Sequence, residues 1–213
     1  MIKRNKGTLI VTSCIILLPI IAGLLLWNQL PDRIPTHWNA AGEIDGYSSK
    51  AFAVFVLPLI MLALQWFCLF ITSADPKHDP RNEKYLPLAL WIIPVISVLL
   101  MCVTYAASFG FDVPVERYLP VVVGLGFVII GNYMPKFSQN YTIGIKLPWT
   151  LSSQDNRNKT HRLAGRLWVI CGIVMIPLSL LGLGLWMFAV ILAMVLIPSI
   201  YSYRLYKKSK TEE

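Results

Sequence analysis

Charge is what this sequence has least of. Asp, Glu, Lys and Arg make up 14% of its 213 residues, against 56% hydrophobic residues. Ordinary globular domains run near a quarter charged and just under half apolar. A soluble chain of this composition would turn large apolar patches to water, which soluble monomers avoid. The composition therefore excludes a soluble domain.

Cysteine is scarce and unpatterned. Cys14, Cys68, Cys102 and Cys171 each stand inside an apolar block, none in a CxxC and none with a His at ligand spacing. That excludes a zinc knuckle, and the four read as small buried hydrophobes. Catalytic signatures are missing too: there is no GxSxG elbow, no HExxH and no GxxxxGK[ST] phosphate loop. Ser153, Asp155 and His161 supply the residue types of a nucleophilic triad, but one short helix cannot fold them back into a nucleophile–base–orienter chain. The expectation is a protein that is not an enzyme and carries no cofactor.

The apolar blocks also lack ionisable residues near their centres. Such groups mark proton relays and ion paths, because burying them in lipid is costly. Their absence argues against a proton- or ion-coupled transporter. Gln65 and Asn132 are the notable polar residues there, each expected to bond to a neighbouring helix.

What is present is length. A span needs roughly 20 apolar residues to cross a hydrocarbon core of about 30 Å. Thr8–Leu30, Ala51–Thr72, Leu86–Ala107 and Tyr118–Tyr133 qualify. Leu163–Tyr203 is about two spans long, with Gly182-Leu183-Gly184 as the expected turn. The first block is too long for a cleaved signal peptide and reads as a retained anchor. The fold class predicted is all-α: a polytopic bundle of about six transmembrane helices with both termini cytoplasmic.

The net charge of +8 invites a nucleic-acid reading, but the cations sit in short clusters beside the apolar blocks, as topology signals do. With the N-terminus inside, sixteen of the nineteen Lys and Arg fall on the cytoplasmic side, all but Arg33, Lys50 and Arg117. Direct nucleic-acid binding is not expected; contact with anionic lipid is.

Two polar loops carry the remaining information. The first, Pro31–Lys50, is expected outside the membrane as a run of turns set by Pro31, Pro35, Gly42 and Gly46. Trp38 and Tyr47 suit the head-group zone. His37, Glu43 and Asp45 are metal-ligand types without a regular element to fix their spacing, so no metal site is expected. The second, residues 134–163, is expected in the cytoplasm. Pro135 ends the fourth helix, and Ser152 with Asp155 resembles a capping box. A short polar helix is therefore expected from about Ser153, carrying Lys159, Arg162 and Arg166 into the fifth span.

Pro35-Thr-His37-Trp38-Asn39 with Gly42, Asp45 and Lys50, after a first span, resembles a small domain of unknown function that opens many bacterial membrane proteins. Gly131-Asn132, Pro135, Asn140, Gly144-Ile145, Pro148-Trp149-Thr150 and Thr160-His161-Arg162 resemble the signature of the Sdp immunity-protein family. Two departures stand out: Lys146-Leu147 where the family commonly has Arg-Thr, and Arg157 where many members have Trp. Lysine keeps the charge of Arg but loses its bidentate fork.

The resemblance implies a multi-pass protein of the bacterial cytoplasmic membrane. It divides the chain into a two-span unit, residues 1–72, and a four-span unit, residues 73–213. It also implies protection against a secreted toxic peptide, which the first loop would face. A small DNA-binding repressor would be held by the second loop. Two other readings stay open beside it: a small transporter or lipid-handling protein with a mid-membrane polar cavity at Gln65, Asn132 and the third helix, and an interfacial enzyme with His161 as general base.

Overall fold

The computed structural model describes residues 3–39, 41–77, 79–183 and 185–211. Six of its helices are long and apolar enough to cross a membrane: Lys6–Leu25, Phe52–Ser73, Asn82–Ser108, Val115–Lys136, Gln154–Leu180 and Trp186–Thr211. Their 20 to 27 residues give about 30–40 Å at 1.5 Å per residue. Leu18, Ile21 and Leu24 on the first, Phe67 and Phe70 on the second, and Phe188 and Leu192 on the sixth are all exposed. Outward apolar faces of this kind need lipid as their solvent. The chain is a multi-pass membrane protein.

Chain contacts define two compact units, Met1–Ala74 with Glu83–Val115, and Asp75–Asn82 with Glu116–Glu213. The first holds helices α1 (Lys6–Leu25), α2 (Leu57–Ser73) and α3 (Leu86–Ser108), with strands β1 (Arg33–Trp38) and β2 (Ile44–Ser49). The buried face of α1, Leu9, Thr12, Ile16, Pro19 and Gly23, repeats every three and four residues, the stripe of a packed helix. Gly23 lets α3 approach, because a Cβ there would lie 2.5 Å from the Tyr105 hydroxyl. Tyr105 instead donates to the Pro19 carbonyl at 2.8 Å. Gln65 on α2 donates to Thr12 on α1 at 3.1 Å, both buried. This is the interhelical bond expected of it.

The second unit holds α4 (Val115–Tyr133), α5 (Pro148–Ser152), α6 (Gln154–Leu180) and α7 (Leu185–Thr211). Helices α4 and α6 cross through glycines. A Cβ on Gly124 would meet the Gly172 carbonyl at 2.8 Å, and one on Gly131 the Gly165 carbonyl at 2.8 Å. Small residues that bring backbones together are the usual packing device in lipid. The turn into α7 falls where expected. Gly182, at φ +73°, donates to Ser179, and Leu183 donates to Leu178; this is the paired-bond stop of a helix that ends on a left-handed glycine. Gly184 lies outside the described residues.

Each span carries a proline: Pro19, Pro58, Pro94, Pro120, Pro177 and Pro198. A proline within a helix leaves the carbonyl four residues earlier without its donor. On α7 that carbonyl belongs to Met194, and the Trp168 indole of α6 caps it at 3.2 Å.

Four expectations need correction. The segment after α1 is a two-stranded antiparallel hairpin rather than a run of turns, with Arg33 opposite Ser49 and Trp38 opposite Ile44. Register shifts around His37 break its alternation, which hid the strands. The cysteines are not buried: Cys14, Cys68 and Cys102 are exposed and Cys171 is half-buried, since in lipid an apolar side chain gains nothing by turning inward. Asn132 lies exposed on α4, not bonded into a neighbouring helix. The cap of α6 is Ser153, whose hydroxyl accepts from the Asn156 N–H at 3.2 Å. Ser152 instead closes α5 by donating to the Trp149 carbonyl at 3.3 Å.

Candidate functional site

The hairpin is the first candidate surface. Lys50 anchors its base: the ammonium donates to the Trp27 carbonyl at 3.1 Å, lies 5.3 Å from the centre of that ring, and sits 3.5 Å from Asp32. Asn39 builds the tip by accepting from the Ala41 and Glu43 N–H groups and donating to the Glu43 carboxylate at 3.0 Å. Gly42 takes φ +83° there, a conformation that favours glycine. His37 Nδ1 meets Asp45 at 2.5 Å, both side chains exposed. Gly46 makes that pairing possible, since a Cβ on it would fall 2.8 Å from the His37 Cβ. Pro35 is buried, Trp38 half-buried and Tyr47 exposed. The hairpin thus offers an imidazole–carboxylate pair, a phenol and an indole edge on a fixed frame.

The second candidate is the loop that follows α4, assembled wholly within the second unit. Its centre is a carboxylate that sequence reading missed. Asp75 is buried, and accepts from the Lys77 N–H at 2.9 Å, the Tyr141 N–H at 2.8 Å and the Thr142 hydroxyl at 2.9 Å. Burial by itself would raise its pKa, but the cover is shallow. Hydrogen bonds from Lys77, Thr142 and Tyr141 prevail and hold the carboxyl below its ordinary value. Asn140 shapes the adjoining turn, its side-chain oxygen accepting from the Thr142 and Ile143 N–H groups. Gln139 and Lys77 both donate to the Leu151 carbonyl, at 2.7 and 3.2 Å.

Next along the loop, Gly144 at φ +99° lies flat on His161; a Cβ would come within 2.4 Å of the imidazole. His161 Nε2 accepts from the Ile145 N–H at 3.1 Å, which places the ring proton on Nδ1. That nitrogen faces the Met134 backbone without completing a hydrogen bond of normal geometry. Thr150 caps α5, accepting from the Leu147 N–H at 2.9 Å and donating to the Ile145 carbonyl at 2.9 Å. Trp149 reaches α7, with ring centres 5.7 Å from Tyr206 and 5.4 Å from Tyr203. Asn156 completes the join: it donates to the Ser202 carbonyl at 2.9 Å and accepts from the Ser202 and Thr160 hydroxyls.

The structure therefore separates the expected residues of this loop into two groups. Asn140, Gly144, Thr150, Thr160 and His161 hold the loop and helix ends together. Lys146, Pro148 and Arg162 are exposed, and Pro135 packs beside Gly165, where a Cβ would meet it at 2.9 Å. Asp75, Lys77, Asn156 and Ser202 were not legible, because partners 46 to 74 residues apart leave no local pattern. The residues of a hydrolytic triad do not meet. Ser153 caps α6, Asp155 pairs with Lys159 at 2.7 Å, and His161 is bonded to Ile145. No group of three or more metal-ligand side chains forms among the described residues.

A membrane-embedded helical protein with a stapled loop between its fourth and fifth spans is the class this geometry defines. Comparison with known proteins narrows it. Residues 136–202 match the model of the SdpI/YfhL protein family. Residues 14–62 match the domain of unknown function DUF1648. Over 211 residues the chain is 28% identical to the immunity protein SdpI of Bacillus subtilis (strain 168), covering 97% of each chain. No solved structure matches.

Proposed function

We propose that this chain is an immunity protein of the bacterial cytoplasmic membrane, protecting its cell from a secreted toxic peptide. The observation that carries the reading is the end-to-end similarity: 28% identity covers 97% of both this chain and the Bacillus subtilis immunity protein. Likeness at that length takes in the hairpin, the six spans and the stapled loop together. The protein acts by binding, without catalysis.

In this reading both chain ends lie in the cytoplasm, the hairpin faces outward, and the functional modules are residues 1–72 and 73–213. Peptide meets His37, Trp38, Asn39 and Tyr47. The loop carrying Lys146, Pro148 and Arg162 offers exposed groups to a small DNA-binding repressor. Peptide binding changes repressor capture only if it favours one bundle arrangement over another.

The direct test is expression of the chain in a sensitive host challenged with a secreted toxic peptide from the same organism. Survival is expected to rise at least tenfold, and Trp38→Ala with Tyr47→Ala is expected to remove the protection. Equal killing with and without the chain overturns the reading. Reporter tags at each end, read separately, are expected to give cytoplasmic signals at both.

A further inference from the structure

Arg157 is fully buried at the start of α6, yet its guanidinium has one hydrogen bond. Nη2 donates to the Ile143 carbonyl at 2.7 Å, while Nε and Nη1 have no partner. Leaving the donors of a buried cation unmet is among the more costly arrangements in a protein. Among the described residues, the Asn140 side-chain oxygen and both Asp75 oxygens already accept from loop N–H and hydroxyl donors. Asp75 is close enough to act on Arg157 as a charge, but the structure has no hydrogen bond between them.

Charge points the same way. Lys77 adds a cation to the Asp75 cluster, and Asp155, the acid of the first turn of α6, is occupied by Lys159. Lys146 and Arg162 stand exposed at the rim. Depth supplies the rest. The unbroken apolar run of α6 begins at Leu167, after Arg166, so Arg157 lies about 15 Å before it by helical rise. That places it outside the hydrocarbon core, on the side of the lipid head groups.

We propose that Arg157 anchors a binding site for a phosphate group, covered here by the loop from Asn140 to Leu147. A phosphate oxygen would take the orphaned Nε–H or Nη1–H, the charge-assisted bond in which a guanidinium is strongest. Lys146 and Arg162 would draw the anion in. To admit the phosphate, the loop would have to release its polar contacts: Tyr141 and Thr142 on Asp75, Ile145 on His161 and Ile143 on Arg157 itself. The phosphate belongs either to an anionic lipid or to a free ion.

The test uses the full chain in lipid nanodiscs, wild type beside Arg157→Gln, Arg157→Lys and Arg204→Gln. One arm compares phosphatidylcholine with and without phosphatidylglycerol, reading retained lipid by native mass spectrometry and the unfolding midpoint. The other holds phosphatidylcholine fixed and exchanges chloride for inorganic phosphate at equal ionic strength. Wild type is expected to keep at least one more phosphatidylglycerol than Arg157→Gln and to unfold at higher temperature when it is present. Arg204→Gln, an exposed cation on α7 outside the site, is expected to keep that lipid. A midpoint shift with inorganic phosphate alone assigns the site to a free ion. If Arg157→Gln does not fold, Arg157→Lys, which keeps the charge, is expected to bind about tenfold more weakly. Equal lipid retention and equal shifts in wild type and the Arg157 variants would overturn the proposal, leaving the guanidinium as a hydrated structural cation.

Discussion

Gly124 and Gly172 touch backbone to backbone: a methyl on the first would sit 2.8 Å from the carbonyl of the second, and one on the second 2.5 Å from the carbonyl of the first. Seven residues along each helix, Gly131 and Gly165 repeat the arrangement at 2.8 and 2.6 Å. Neither side has a flexible side chain to move aside. Gly172→Val is therefore expected to destabilise the protein by at least about 1–3 kcal/mol, the ordinary cost of overpacking. Gly126→Ala, with nothing within 4 Å of its new methyl, is expected to be neutral or to stabilise by up to about 1 kcal/mol. Thermal unfolding in detergent distinguishes them, and equal midpoints would show that α4 and α6 do not cross at these glycines.

The Asp75 staple makes a pH prediction with a definite sign. A carboxyl held below its ordinary value in the folded protein favours folding at every pH above the unfolded value, 3.8, and that contribution is lost as pH falls through the folded value. The loop is expected to stay closed between pH 7 and 5 and to open only in stronger acid. Trp149 emission should follow the opening, as this indole rests on Tyr203 and Tyr206. Asp75→Asn should abolish the acid transition; an unchanged titration would remove Asp75 from the staple.

Trp168 and Pro198 are predicted to be energetically coupled. Trp168→Phe strips the cap from the Met194 carbonyl and is expected to cost about 1 kcal/mol. In a Pro198→Ala background the restored N–H at 198 can pair with Met194, so the same change should cost little. A double-mutant cycle on unfolding free energy measures the difference. Additive effects would mean that the indole bond contributes nothing specific.

Gln65 gives a smaller effect. Its bond to Thr12 is one interhelical contact, worth about 0.6 kcal/mol on average in membrane proteins. The bond is donated by the amide nitrogen, and the side-chain oxygen, Oε1, is already without a partner. Gln65→Leu is expected to be nearly neutral, whereas Gln65→Ala should cost more by leaving a cavity. Chemical denaturation in mixed micelles separates the two, and a large loss in Gln65→Leu would give the amide a role beyond packing.

The six spans were legible because lipid demands long apolar runs, and the cationic flanks count them. Their ends were less so. The first apolar run continues to Leu30, but α1 stops at Leu25, leaving the Trp27 carbonyl to be taken by Lys50. Which way a side chain faces was the weakest inference. Hydrophobicity in water means burial; in lipid it does not, so the cysteines turned outward. The hairpin was masked by its own glycines and register shifts. In the second loop, Asn140, Thr150 and His161 were visible as residues, while their roles depended on backbone groups that no spacing encodes. Arg157 drew notice as a departure from the family pattern, yet its burial beside Asp75 comes only with the fold.

Asp75 lies between the second and third spans but belongs with residues that follow the fourth. During synthesis this carboxylate emerges long before Tyr141 and Thr142, the groups that will hold it. The segment from Asp75 to Asn82 must therefore wait, solvated and unfastened, while two more helices enter the membrane. Chains released early from the ribosome, ending after the third span, would display it open, giving a quality-control protease a means of telling unfinished protein from finished.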